Sequence, residues 1–543
     1  MPFNSITFFV FLAVVLLLFR ILPHKGQNFL LLIASYVFYG WWDIRFLLLI
    51  IISTAMDFSA GLIMHEGFIS KRDRLIASLW VSLSAFFCVF LQWGTIGRGI
   101  AHAGFFSELF SPSRGRMIFY GVLGLIVVAN LAYPWVISLE PSRRKRAALL
   151  LSITTNLAIL GFFKYYNFFI TSLEPILGIV GLSPTALHLN IVLPIGISFY
   201  TFQSLTYTVD IYRGTLAATP RLSDYALCVA FFPKLLAGPI ERAANLLPQL
   251  ARTREFTREQ TLEGIRFILY GLFKKVAVAD GIAIVVQQAF SSRISLSWSD
   301  AILGMFFFAV EIYCDFSGYS DIAIGVAKLF GIELMQNFNF PYFASNPADF
   351  WTRWHISLSS WFRDYVFFPL GGPYGKAIQW IRNVILTFLV TGLWHGAAWN
   401  FVFWGMYHGV LLCLHRLRQT YLPSKRRRKR SGSDVVYTLL FFPVICYGWV
   451  LFRAESFSQI REFTSVLFSG LGNMHLTIGL PTPPALLGLP ILLVMEFVGN
   501  RSHESRLDKV LPVPLWTGLC AGMIFSLIMG FGYAPTKFIY FVF

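Results

Sequence analysis

The sequence predicts an all-α, polytopic integral membrane protein, and three observations carry that reading. Hydrophobic residues make up 56% of the 543 and charged residues only 13%, about half the charged share of a soluble domain. Mean hydropathy is +0.64. The apolar residues also come in runs of roughly 20, the length a helix needs to cross a hydrocarbon core.

In chain order the runs lie near 5–21, 28–42, 46–64, 75–93, 117–138, 147–169, 190–208, 225–240, 262–288, 300–330, 380–400, 401–416, 435–452, 485–498 and 513–531. Those near 28–42, 190–208 and 225–240 read as re-entrant or half-helices. The count is then about 11–14 membrane-embedded helices with short re-entrant or interfacial pieces. The first run has no basic residue before it and no small-residue cleavage site. It reads as a span, not a removed signal peptide.

Net charge is +17 and pI about 9.7. In a soluble chain this would suggest nucleic acid; here the positive-inside rule is the better account, and no nucleic-acid partner is expected. The densest basic runs are "SKRDR" at 70–74, "SRRKR" at 142–146 and "SKRRRKR" at 424–430. An outside N-terminus puts Lys25 and the first two runs on the cytoplasmic side. Arg98, Arg114 and Arg116 fall in an opposite loop and dissent. Cys88, Cys228, Cys314, Cys413, Cys446 and Cys520 show no paired spacing. They read as small buried hydrophobes, with no disulfide framework and no zinc pattern.

Ionisable residues inside spans are costly, so they are candidates for function. Glu311, Asp315 and Asp321 share one predicted helix, spaced by four and six, so Asp321 is turned away from the other two. Without paired His this suits braces between helices better than a metal site, and no metal is expected. The ten His form no H-E-x-x-H motif. The chain also lacks a G-x-S-x-G elbow and a phosphate loop. An H-x-x-x-x-D pattern is missing too, because Ser360 follows His355 at the acid's place. What stands out is His395 in "LWHGAAW", among Trp394, Gly396, Ala397 and Trp399. An apolar setting favours the uncharged imidazole, the form a general base needs. The second feature is "FWTRWHISLSSWFRDYVFFPLGG" at 350–372. Its three Trp, with His355, Arg353, Arg363 and Asp364, make it too polar to span and too apolar for a loose loop. Such a segment suits a short helix that dips inward and lines a polar cavity at membrane depth.

These two segments, with "ASYVFYGWWD", "GISFYTFQSLTYTVDIYRG", "FFPKLLAGPIER", "YCDFSGYSDIAIGVAKLFGI" and "NFNFPYFASNPADFWTRWHISLS", resemble the membrane-bound O-acyltransferase (MBOAT) family, in its bacterial alginate O-acetyltransferase branch. The motifs run in order from about 28 to 409; region 95–116 matches poorly and the tail beyond about 455 only loosely. The resemblance implies a helical fold with a central tunnel, and divides the chain into N-terminal helices (1–140), a catalytic core (141–415), a basic cytoplasmic linker (416–434) and C-terminal helices (435–543). It implies an O-acyltransferase of the bacterial inner membrane. Acetyl-CoA would be the donor substrate, with no permanently bound cofactor, and a polysaccharide such as alginate the acceptor. A periplasmic SGNH-type acetyltransferase would be the partner, and membrane lipid the surroundings. His395 would be the base and His355 would orient the reacting groups or donate to the oxyanion. Trp354, Trp394, Asn400, Tyr313 and Asp315 would line the tunnel. Arg353, Arg363, Lys274 and Lys275 would meet the phosphates of CoA.

Three other readings compete. D-alanyl transfer to a cell-wall polymer would use a carrier-protein thioester. A transporter or flippase would carry inverted repeats, which the sequence does not display. An inert scaffold would not need both His. The enzyme reading further requires His355 and His395 to line one cavity within about 15 Å of each other. On that basis Gly396→Leu is expected to obstruct the passage without unfolding the protein.

Overall fold

The computed structural model describes residues 1–90, 116–179, 187–236, 238–291, 296–421, 432–472, 474–502, 506–536 and 538–539. Arg98, Arg114, the basic run 424–430 and residues 422–431 of the expected linker lie outside them. The described residues form helices and turns, with no strand among them. Nine of their helices are long and apolar enough to cross a membrane: Ile44–His65, Lys71–Phe90, Arg116–Ser138, Pro141–Ser172, Trp298–Leu329, Ala377–His395, Val435–Arg453, Pro483–Ser502 and Val513–Gly530. The expected run near 5–21 is a shorter apolar helix, Ile6–Ile21. That near 28–42 is the 17-residue helix His24–Gly40. The stretches near 190–208 and 225–240 are indeed broken. The first is extended until helix Ile197–Tyr212 begins; the second splits into Leu222–Ala230 and Phe232–Leu235.

The spine is Trp298–Leu329, 32 residues long and so roughly 48 Å at 1.5 Å per residue. Ser297 and Asp300 form a capping box at its start. Asp300 also accepts from the backbone of Thr477 and Ile478 at 2.9 and 3.2 Å, tying a distant loop to that end. Arg258–Leu272 lies against the spine through reciprocal glycines. A Cβ on Gly271 would come within 2.4 Å of the Gly318 carbonyl, and one on Gly325 within 2.5 Å of the Gly264 carbonyl. Only bare backbone permits so close a crossing.

The same contact is locked by buried ion pairs. Lys274 meets Asp321 at 2.8 Å; Lys275 meets Asp280 at 2.8 Å and Asp315 at 2.7 Å. Asp315 and Asp321 brace neighbouring helices, as their spacing suggests. Near the C-terminus Thr536 accepts from Lys275 at 3.2 Å, and the Ile539 amide donates to Asp315 at 2.7 Å.

Two contacts define the ends of the bundle. The Arg144 guanidinium lies within 2.9 Å of where a Cβ on Gly67 would sit, and Ile69 bonds Tyr133 at 2.9 Å. The loops bearing the first two basic runs therefore meet at one end. Met1 and Pro2 instead share a cavity wall with Tyr39 and Trp42, one crossing away.

Candidate active site

His395 is the last residue of helix Ala377–His395, because the chain turns extended at Gly396 (φ −161°, ψ 153°). The following helix, Trp399–Tyr421, returns against it through a second glycine crossing. A Cβ on Gly392 would sit 2.2 Å from the Phe401 carbonyl oxygen, and one on Gly405 2.2 Å from that of Phe388. This close approach seats the imidazole in an aromatic box. Its ring lies 4.8 Å from Trp404, 5.3 Å from Phe452 and 5.0 Å from Trp394, each nearly edge-on.

His355 joins the short helices Pro347–Arg353 and Ile356–Phe362. It has φ 42°, a left-handed conformation that a residue with a side chain adopts only at a cost. Asn337 holds the turn. Its carbonyl accepts from the Ile356 amide at 2.9 Å, and its side chain takes the Ser357 hydroxyl at 2.6 Å. Ser357 in turn accepts from the Ile240 amide at 3.0 Å. The His355 ring is buried, 4.6 Å from Phe316. Neither ring nitrogen has a hydrogen-bond partner among the described residues. A buried polar group so held is an unmet demand that a substrate oxygen or proton can fill.

One indole separates the two imidazoles. Trp394 lies 6.0 Å from His355 and 5.0 Å from His395, so the two cannot be farther apart than those distances together. The expected proximity holds. A single open cavity does not describe their relation, however. A cavity of about 380 Å³ is lined by Met1, Tyr39, Trp42, Lys164, Trp394 and His395. His355 lies behind Trp394, outside that wall.

Beyond Trp394 an aromatic column leads away from this cavity. Phe202 lies 5.6 Å from Trp394 and stacks on Trp361 at 3.7 Å; Trp361 lies 5.2 Å from Tyr365. At the column's end Arg213 and Arg242 stand 5.1 and 5.6 Å over Tyr365. Asp364 there pairs with Arg242 and, at 2.8 Å, with Arg363. Burial alone would raise the Asp364 carboxyl. Hydrogen bonds from Arg363 and Arg242 outweigh it and hold the group below the usual carboxylate range.

The other expected residues are scattered. Trp354 lines no part of the His395 cavity; it is buried against Trp449 at 4.6 Å and Phe338 at 5.0 Å, supporting the His355 turn. Tyr313 donates to Glu496 at 2.7 Å and faces, with Lys274, a separate cavity of about 200 Å³. Asp315 is held in the ion cluster with Lys275, which is itself fully buried and has no face for a phosphate. Arg353 is engaged by Asp349 at 2.7 Å and Asn500 at 3.1 Å. Arg363 stays open, its side chain 58% exposed. Asn400 donates to the Ala454 carbonyl at 2.9 Å and lines a neighbouring cavity of about 430 Å³. Gly396 offers no passage to narrow. A Cβ there would lie 2.1 Å from the Phe401 ring, so Gly396→Leu would displace a buried phenyl group. Sequence reasoning missed Asn337, Lys164 and Tyr165. "NFNF" and "FFKYYNFF" were signals of a kind, polar groups inside aromatic runs.

Residues 181–452 match the membrane-bound O-acyltransferase family. The chain is 36% identical over 471 residues to a protein named probable alginate O-acetylase AlgI of Azotobacter vinelandii, covering 86% of this chain and 78% of the relative. It is also 36% identical over 514 residues to the Pseudomonas aeruginosa protein of the same name, covering 93% and 83%. A Helicobacter pylori protein named peptidoglycan O-acetyltransferase is 34% identical over 65% of this chain and 72% of its own. A Bacillus subtilis protein named teichoic acid D-alanyltransferase is 30% identical over 49% and 70%.

Proposed function

Because this chain belongs to the membrane-bound O-acyltransferase family and is a multi-pass membrane O-acyltransferase, we propose that it moves an acetyl group from cytoplasmic acetyl-CoA to a hydroxyl on the outer side of the bacterial inner membrane. The end product would be an O-acetylated extracellular polysaccharide such as alginate, reached through a periplasmic SGNH-type partner. The observation that carries this is His395 in the wall of a cavity shared with Met1, with an aromatic column running from its neighbour Trp394 to an arginine cluster. With the basic loops inward, that cluster faces the cytoplasm and the His395 cavity faces out.

In this scheme the donor thioester enters along the aromatic column, whose stacked rings part to admit it, and Arg363 and Arg213 meet its phosphates. His395 takes the acceptor hydroxyl's proton as the new C–O bond forms. It returns that proton to the departing thiolate as the C–S bond breaks. His355, with no partner of its own among the described residues, donates to the carbonyl oxygen as charge develops there. The relatives named for alginate O-acetylation align over 86% and 93% of this chain and the D-alanyl relative over 49%, which supports acetyl transfer.

The test uses purified protein in vesicles, with acetyl-CoA carrying label in the acetyl group. Label should pass to an added hydroxyl acceptor. Transfer from a D-alanyl carrier-protein thioester, with none from acetyl-CoA, would overturn the donor assignment.

A further inference from the structure

The base proposed above stands at a helix terminus, and the end of a helix is its weakest part. The last four carbonyls of Ala377–His395 have no partner within the helix, and the extended backbone at Gly396 supplies no C-terminal cap. Loss of the last turn would carry the His395 imidazole out of its aromatic box. Left unpaired in an apolar setting, such carbonyls cost free energy.

Two side chains from a distant helix satisfy them. The Lys164 ammonium donates to the Trp394 carbonyl and, at 3.3 Å, to the His395 carbonyl. The neighbouring Tyr165 hydroxyl donates to the Leu393 carbonyl at 2.7 Å. Three consecutive terminal carbonyls are thus capped by adjacent residues. Both lie in the π-helical turn Gly161–Tyr165, where Tyr165 has φ −112° and ψ −9°. Single π-turns of this kind recur at functional sites because they re-aim side chains. A cation at a helix C-terminus also complements its dipole.

We infer that Lys164 and Tyr165 are positioning residues that fix His395 for acyl transfer by capping the end of its helix. Lys164 has three N–H donors and no acceptor. Two go to the helix carbonyls and Ser198 Oγ lies at 3.3 Å for the third. None is left over for substrate, so its part is geometric even though it borders both the His395 cavity and the adjoining one.

The inference rests on His395 as the base, so His395→Ala is assayed beside the new variants in vesicles supplied with labelled acetyl-CoA. Lys164→Met should lower kcat on the order of 100-fold, the effect of misplacing a reacting group by about 1 Å. Tyr165→Phe, which loses one hydrogen bond and little volume, should lower it roughly fivefold. KM for acetyl-CoA should be unchanged in both, and Lys164→Arg, which keeps charge and donors, should recover most of the rate. Folding is read from melting in detergent. If Lys164→Met does not accumulate, Tyr165→Phe and Lys164→Arg decide alone. A folded Tyr165→Phe with the parent kcat, or with loss appearing only in KM, would overturn the inference. Full activity in His395→Ala would instead overturn the assignment of the base.

Discussion

His355 and His395 are both imidazoles in apolar surroundings, yet they are held in opposite ways. His395 is the last residue of a long helix and depends on that helix's end. His355 sits on a strained turn that Asn337 pins from outside. The two roles should therefore separate by mutation. His395→Ala is expected to lower kcat by about 10²–10⁴-fold, the usual worth of a general base, while the protein still accumulates. His355→Ala should leave more turnover. Asn337→Ala should lower turnover less than His355→Ala does, because it removes the acceptor of the Ser357 hydroxyl but keeps both the imidazole and the backbone bond from Ile356. Acetyl transfer by each purified variant, measured beside its melting temperature, checks this; equal activity in parent and His355→Ala would remove the oxyanion role. Both His were legible because each interrupts an apolar run within a family motif. Lys164 was not, since a lysine near the end of a span reads as an ordinary interfacial residue until its carbonyl partners, 230 and 231 residues away, are seen.

At the level of elements, glycine and buried charge set the helix crossings. Gly392→Val should destabilise the protein, because even a Cβ there would meet the Phe401 carbonyl at 2.2 Å, and overpacking of this kind costs about 1–3 kcal/mol or more. A lower melting temperature in detergent is the readout. Lys275→Met should be worse, about 3–5 kcal/mol, since it leaves Asp280 and Asp315 buried without their cation. Adding Asp315→Asn to Lys275→Met should recover part of the loss; if the double variant is no better than the single, the cluster is not coupled as described. The Asp364 cluster makes a pH-dependent contribution of known sign. Its folded carboxyl is held low, so the contribution is complete above the unfolded value of about 3.9 and is lost as pH falls through the folded one. Between pH 5 and pH 8 it should be flat. The spacing of Glu311, Asp315 and Asp321 already suggested braces between helices. The lysine partners of Asp315 and Asp321, 47 residues away for Asp321, lie on another helix, and spacing along one helix says nothing of its neighbour.

For the whole molecule, apolar runs and basic loops were enough to read an all-helical membrane bundle and a consistent orientation. What they could not give was depth. Whether a mixed segment such as 350–372 spans, dips or lies flat depends on contacts with Asn337, Ile240 and Phe316, all remote in sequence. Nor could they show that Trp394 closes the way between the two imidazoles. The orientation itself is open to labelling. In a variant without the native cysteines, a Cys at 144 or 427 should be shielded from an impermeant thiol reagent in intact cells, and a Cys at 42 should react. Opposite labelling at 144 would invert the bundle. The central claim is that the acetyl group changes sides, with His395 at the crossing. Sealed vesicles with the Met1 side outward, loaded with labelled acetyl-CoA and given a hydroxyl acceptor only outside, test it directly. Label should appear on the external acceptor with the parent protein and fall to background with His395→Ala. Label that reaches an acceptor only when it shares a compartment with acetyl-CoA, or that persists in the His395→Ala vesicles, would contradict it.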